Sequence, residues 1–215
     1  GLIALKYGNL EDVVTITEES LITEAGAKTC DFKVGDKLTL EELLNSTLVY
    51  SGNDAAMAIA IHIAASEEDF ARMMNEEAKA LGATNTNFVN PHGLSHEEHY
   101  STAYDLYLIF NEAVKFEKFV PIINQKSYFV QYTDELGTLK EKTFETTNQY
   151  FTSKENPEGI TVLGGKTGTT NAAGSCLILL SKDSLESTYM SIILKAEGSN
   201  LLYTEMSSLF GQIAK

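Results

Sequence analysis

Apolar residues recur at helical spacing through the first part of the chain and at strand spacing through the second. Thr39 and Glu42 read as a capping box ahead of Leu40, Leu43, Leu44 and Leu48, which share one helical face. Ser66 with Asp69 repeats the device before a helix expected to stop at Gly82, a glycine suited to the C′ position. Thr102 with Asp105 opens another over Leu106, Ile109, Phe110, Ala113 and Val114. The run from Asp54 to Ile61 is apolar nearly all round, which places that helix in the middle of a domain. The opening stretch GLIALKYGNLEDVV reads as the middle of an amphipathic helix with no cap before it, as in a piece excised from a longer precursor.

After about residue 126 the period changes. Residues 127–132 and 142–146 read as short strands, and 160–170, 176–181 and 189–194 as three consecutive ones. The tight connections TNAAG and KDSLES make antiparallel pairing the economical choice. Asn200 is expected to cap a last helix whose Leu202, Met206, Leu209, Phe210 and Ile213 form a stripe suited to lie across that sheet. With a mainly helical region over about 1–125 and a strand-rich region over about 126–215, the fold class is α+β. No Pro/Gly-rich linker divides the chain, so residues 1–215 are read as one domain.

A formal charge of −14 provides no basic stripe for nucleic acid. An anionic substrate would need a local cation, because the global field opposes it. No apolar run approaches the roughly 20 residues that span a bilayer, and the pattern of a signal peptide is missing from these residues. Cys30 and Cys176 lack metal-ligand spacing and read as two buried or free thiols.

Two short motifs carry chemistry. In GGKTGTTNAAG, residues 164–174, a lysine stands between glycines at the end of an apolar strand. Gly165 and Gly168 would leave the backbone bare for an extended ligand. Lys166 would supply the local cation, and the Thr169 N–H could meet a developing oxyanion. Alone, the motif also fits a bulged strand end. In LVYSGNDAAMAIA, residues 48–60, Ser51-Gly52-Asn53 falls in the break between two apolar helices. Those residues could merely cap and bend, yet Asp54 is equally able to cap, which leaves Ser51 and Asn53 free to face outward.

Together the two motifs resemble the serine penicillin-binding enzymes, and most closely the low-molecular-mass D-alanyl-D-alanine carboxypeptidases. YGNLEDVVTI, VGDKLTLEELL, NPHGLSHEEHYSTAYDL and GGKTGTTNAAGSCLILL carry the resemblance further along the chain. It implies a β-lactamase/transpeptidase-like fold, a five-stranded antiparallel sheet beside an all-helical region. It also implies a peptidoglycan stem peptide ending in D-Ala-D-Ala as substrate, β-lactams as inhibitors, no cofactor or metal, and an extracytoplasmic location. Any membrane attachment would come through segments outside these residues. By the same resemblance Ser51 would relay a proton, Asn53 hold the substrate peptide group, and Lys166 polarise Ser51 and attract the terminal carboxylate. Thr167, Gly168 and Thr169 would contact that carboxylate, with the Thr169 N–H as half of the oxyanion hole.

The family's third element, Ser-x-x-Lys with nucleophile and base, is missing: no serine has a lysine three residues later. Relatives carry it just before the segment matching GLIALKYGNL. The expectation is a chain that begins after its own nucleophile and lacks its first edge strands, leaving the strand at 189–194 with unpaired backbone. Losing a serine nucleophile costs on the order of a millionfold in turnover, so the chain as written is expected to be inert in acyl transfer. Two other readings stay open: a class A β-lactamase-like hydrolase, and a non-catalytic module binding cell-wall peptide or β-lactam.

SHEEH at 95–99 is not HExxH and reads as a polar loop. His62 is expected in the core or groove, His92 in a turn, and Arg72 in helix-surface pairs with Asp69 and Glu76.

Overall fold

The computed structural model describes residues 1–213. Its first segment, α1 (Leu2–Tyr7), ends at Gly8, whose backbone is extended, and the chain enters β1 (Val13–Thr15) instead of continuing as helix. The amphipathic reading of the opening stretch therefore holds for only its first half. A side chain at Gly8 would collide with Leu40, so the chain crosses there at close range. β2 (Lys37–Thr39) leads directly into α2 (Leu40–Asn45). The Thr39 capping box is present: its hydroxyl accepts from the Glu42 N–H at 3.2 Å, and the Glu42 carboxylate accepts from the Thr39 N–H at 2.6 Å.

α3 (Asn53–Ala64) is buried from Asn53 through Ala60, as its all-round apolar pattern implies. α4 (Glu67–Ala80) and α5 (Ala103–Ala113) start at Ser66 and Thr102, whose side chains accept from the Asp69 and Asp105 N–H groups. Gly82 follows α4 with φ +85°, the left-handed conformation in which glycine carries no Cβ penalty. α6 (Phe119–Ile123) completes the helical layer.

Two antiparallel sheets follow. β3 (Ser127–Thr133) and β4 (Leu139–Glu145) form a hairpin that extends β1 and β2 into a sheet of order β1-β2-β3-β4. β1 and β2 went unread in the sequence because three-residue strands are too short to display a period. β5 (Ile160–Thr170), β6 (Gly174–Asp183) and β7 (Thr188–Ala196) form the second sheet in that order. The five strands that the resemblance implies are thus three here among the described residues, and β7 pairs with β6 alone. Each turn is tied by side chains: Thr170 Oγ1 accepts from the Ala173 N–H, and Asp183 Oδ1 from the Leu185 and Ser187 N–H groups.

α7 (Ser199–Ile213) starts one residue before Asn200, which therefore lies in the first turn and not at the cap. Its Leu202, Tyr203, Met206 and Phe210 are buried against Val162, Leu177 and Leu179 of the second sheet. Each such side chain stabilises the packing by about 1.5–3 kcal/mol. On the opposite sheet face, Ile178, Leu180 and Met190 meet Ile123, Phe110 and Phe119 of the helical layer. Helices on both faces of an antiparallel sheet make the α+β architecture, and the cleft opens where the free edge of β5 meets the start of α3.

Candidate active site

Three side chains distort the helix that leads to the first motif. Asn45, Ser46 and Thr47 donate into the Glu41, Glu42 and Leu43 carbonyls, each at 2.8 Å. These bonds compete with the backbone ladder. Helix α2 accordingly widens into a π-type turn over Ser46–Tyr50. It ends on Ser51 in the left-handed region, φ 72° and ψ 39°, a strained conformation for a residue with a Cβ. That sharp turn delivers the Ser51 hydroxyl into the cleft.

Gly52 passes so close to Cys30 that a Cβ there would collide with the thiol sulfur. Asn53 follows, nearly buried, with its N–H donating to the Lys28 carbonyl at 2.8 Å. Its side-chain amide has no protein partner among the described residues and lines the cleft. Asp54, expected as a possible cap, instead reaches across: its carboxylate accepts from Cys30 N–H at 2.8 Å and Phe32 N–H at 3.4 Å. The Lys142 ammonium also donates to the Cys30 and Asp31 carbonyls. Residues 28–32 are thereby fastened to α3 and to β4.

On the facing wall, the Lys166 ammonium donates to Ser51 Oγ at 2.8 Å and to the Thr167 carbonyl at 2.7 Å. Burial, and secondarily the Lys28 charge, pushes its pKa down to about 8. The amine can therefore hold and pass a proton closer to neutrality than an ordinary lysine. The bulge in β5 sits between Val162 and Gly164, ahead of the lysine. Gly165 does not bare the strand for a ligand: a Cβ there would strike the Ile178 carbonyl, so this glycine serves the packing of β5 on β6. Gly168 faces open space.

The segment between β4 and β5 braces the cleft. Thr147 N–H donates to the Val49 carbonyl at 3.3 Å, and Thr147 Oγ1 accepts from Thr167 Oγ1 at 2.6 Å. Two residues on, Gln149 N–H donates to the Tyr203 hydroxyl of α7 at 2.9 Å.

Ser51, Asn53, Lys166, Thr167, Gly168 and Thr169 all line one cleft of about 570 Å³. The sequence reading missed Lys28 and Thr147, which also line it; neither belongs to a motif, so no spacing marks them. His92 and His99 stand on its rim. His92 Nδ1 accepts from Leu94 N–H, as a turn residue would, and burial holds its pKa down near 4. Its Nε2 lies 3.3 Å from a Glu67 carboxylate oxygen. His96 and His99 each accept a backbone N–H, in keeping with a polar loop. His62 belongs neither to the core nor to the groove: it is exposed and 3.2 Å from Asp12, since α3 turns its final turn to solvent. Arg72 pairs with Asp69 and Glu76 as expected, and both cysteines are free thiols.

Comparison with known proteins gives a family and a set of structural neighbours. Residues 4–198 match the S11 peptidase family model, described as D-alanyl-D-alanine carboxypeptidase. The chain is 35% identical over 179 residues to D-alanyl-D-alanine carboxypeptidase DacF of Bacillus subtilis, covering 83% of this chain and 44% of that protein. It is 30% identical over 208 residues to DacC of Escherichia coli, covering 93% and 48% respectively. The chain thus spans about half the length of these relatives. Among solved structures, the Streptomyces K15 DD-transpeptidase superposes with a TM-score of 0.82 at 28% identity, covering 94% of this chain and 77% of the other. A D-alanyl-D-alanine carboxypeptidase from Mycobacterium tuberculosis gives 0.83 at 26% identity, covering 98% and 76%. With the family model spanning most of its residues, the chain belongs to the D-alanyl-D-alanine carboxypeptidase family.

Proposed function

We propose that this cleft is part of the active site of a serine D,D-carboxypeptidase that removes terminal D-alanine from peptidoglycan stem peptides through an acyl-enzyme. The observation that carries the reading is the 2.8 Å bond from Lys166 to Ser51, with the unpartnered Asn53 amide in the same cleft. A peptide ending in D-Ala-D-Ala would lie along the free edge of β5, its terminal carboxylate at Thr167 and Thr169 and its peptide group on Asn53. A serine hydroxyl from a Ser-x-x-Lys element outside these 215 residues would attack the penultimate carbonyl. The C–N bond would then break, Ser51 would pass a proton from Lys166 to the departing nitrogen, and D-alanine would leave. Water would hydrolyse the remaining ester. The oxyanion would be met by the Thr169 N–H, a preorganised donor of the kind worth a few kcal/mol to the barrier.

By the same reading these 215 residues alone form no acyl-enzyme, β-lactams acylate the complete enzyme, and that enzyme works outside the cytoplasmic membrane. No helix among the described residues is long and apolar enough to cross a membrane. A labelled penicillin incubated with the full-length protein tests the proposal. One covalent adduct, formed far more slowly by Ser51→Ala, is expected. No adduct would overturn the enzymatic reading and favour a non-catalytic binding module.

A further inference from the structure

No Asp or Glu among the described residues lines the cleft, although the chain carries 30 of them, whereas two lysines do. Lys166 is accounted for by its bond to Ser51. The other is Lys28, and its position is built. Its carbonyl is held by the Asn53 N–H, and the residues after it are fastened by Asp54 and Lys142. Its ammonium rests 3.9 Å from the centre of the Tyr50 ring, and that ring is packed 4.8 Å from Phe144. Burial lowers the Lys28 pKa, and an ammonium held over an aromatic face has lost freedom, so an anion arriving there would offset the lost hydration. It has no carboxylate within ion-pairing distance among the described residues.

Lys28 stands on the wall tied to α3 and β4, whereas Thr167–Thr169 stand on β5. Lys28 thus enters the cleft from a different element than the threonines, and its ammonium has no hydrogen-bond or ion-pair partner of its own among the described residues. We infer that Lys28 is a specificity determinant that binds a second carboxylate, on the part of the peptide preceding the scissile bond, so that the preferred substrate is an acidic peptide and not its amidated counterpart. This rests on the carboxypeptidase reading and deepens it. An exclusion of acidic side chains from the cleft of a chain with net charge −14 serves the same end, because a substrate bearing two carboxylates meets a repulsive global field.

The test uses the full-length protein and two peptides ending in D-Ala-D-Ala, identical except that one has its internal carboxylate amidated. D-alanine release is measured for wild type, Lys28→Met and Lys28→Arg. Wild type should prefer the acidic peptide by about tenfold in kcat/KM, chiefly through KM, the size of one charge-assisted hydrogen bond. Lys28→Met should bring the ratio close to one and Lys28→Arg should retain most of it. Because each ratio compares two substrates on one protein, partial loss of fold cancels. Equal turnover of both peptides by wild type, or an unchanged ratio in Lys28→Met, overturns the inference while leaving the carboxypeptidase reading intact. Release from neither peptide, with no penicillin adduct, overturns both.

Discussion

The ammonium of Lys166 lies 2.8 Å from the hydroxyl of Ser51, a bond between residues 115 apart that joins the middle of β5 to a strained turn before α3. A desolvated lysine bonded to a neutral hydroxyl and a carbonyl has no counter-charge, and that makes it a stability cost with a definite pH signature.

Its folded pKa near 8 lies below the usual lysine value of 10.5. Between those values the unfolded chain holds the proton more tightly, so this group's penalty is full below pH 8 and fades as pH rises towards 10.5. Lys166→Met removes the penalty together with two hydrogen bonds. The stability of the variant relative to wild type should therefore fall by about 2 kcal/mol between roughly pH 7 and pH 10 in urea unfolding. A pH-independent difference would contradict the desolvated lysine.

Gly52→Ala should be destabilising by about 2–3 kcal/mol, since its new methyl meets the Cys30 sulfur in a fully packed spot. Cys30→Ala opens space at that contact, so the double variant should recover at least about 1 kcal/mol relative to the sum of the single changes. Strict additivity would mean that the strain comes from the backbone and not from this contact.

Asp54→Ala leaves the Cys30 and Phe32 N–H groups without their acceptor, both in buried surroundings. A loss of about 2–4 kcal/mol is expected. Faster amide hydrogen exchange should be confined first to residues 26–32. Uniform acceleration across α4 and α5 would show that the effect is global and not local to the loop.

The two thiols should differ in reactivity. Cys30 is buried, and burial with the nearby Asp54 carboxylate pushes its pKa far up, which keeps the unreactive thiol form. Cys176 is only partly covered. Iodoacetamide at about pH 8 should add one group to the native protein, at Cys176, and two in denaturant. Rapid modification of Cys30 in the native state would show that the loop opens.

How much of this was legible depended on whether the signal is local. Helix caps at Thr39, Ser66 and Thr102 obey short-range hydrogen-bond rules, and each hydroxyl caps where the spacing puts it, although only Thr39 with Glu42 forms the reciprocal box. Ser-Gly-Asn and Lys-Thr-Gly were legible as a pair because chemistry constrains residue type and order. Lys28 and Thr147 were not, because they reach the cleft through tertiary contacts with α3 and β5. Gly165 shows the converse error: a glycine beside a motif was assigned to the ligand, yet it answers the carbonyl of the next strand. Asp54 looked like a cap because it precedes an apolar run, but besides the adjacent Ala55 N–H its carboxylate accepts from Cys30 and Phe32, more than 20 residues away.

The brace through Thr147 and Gln149 bears on how the cleft behaves. Its bonds reach Val49, Thr167 and Tyr203, so both walls and the last helix are pinned to one short stretch. A jaw that opened wide on each cycle would have to break all three at once. The trough is better regarded as a stiff mould, whose selectivity comes from geometry set before any guest arrives and whose tolerance for misshapen guests is correspondingly small.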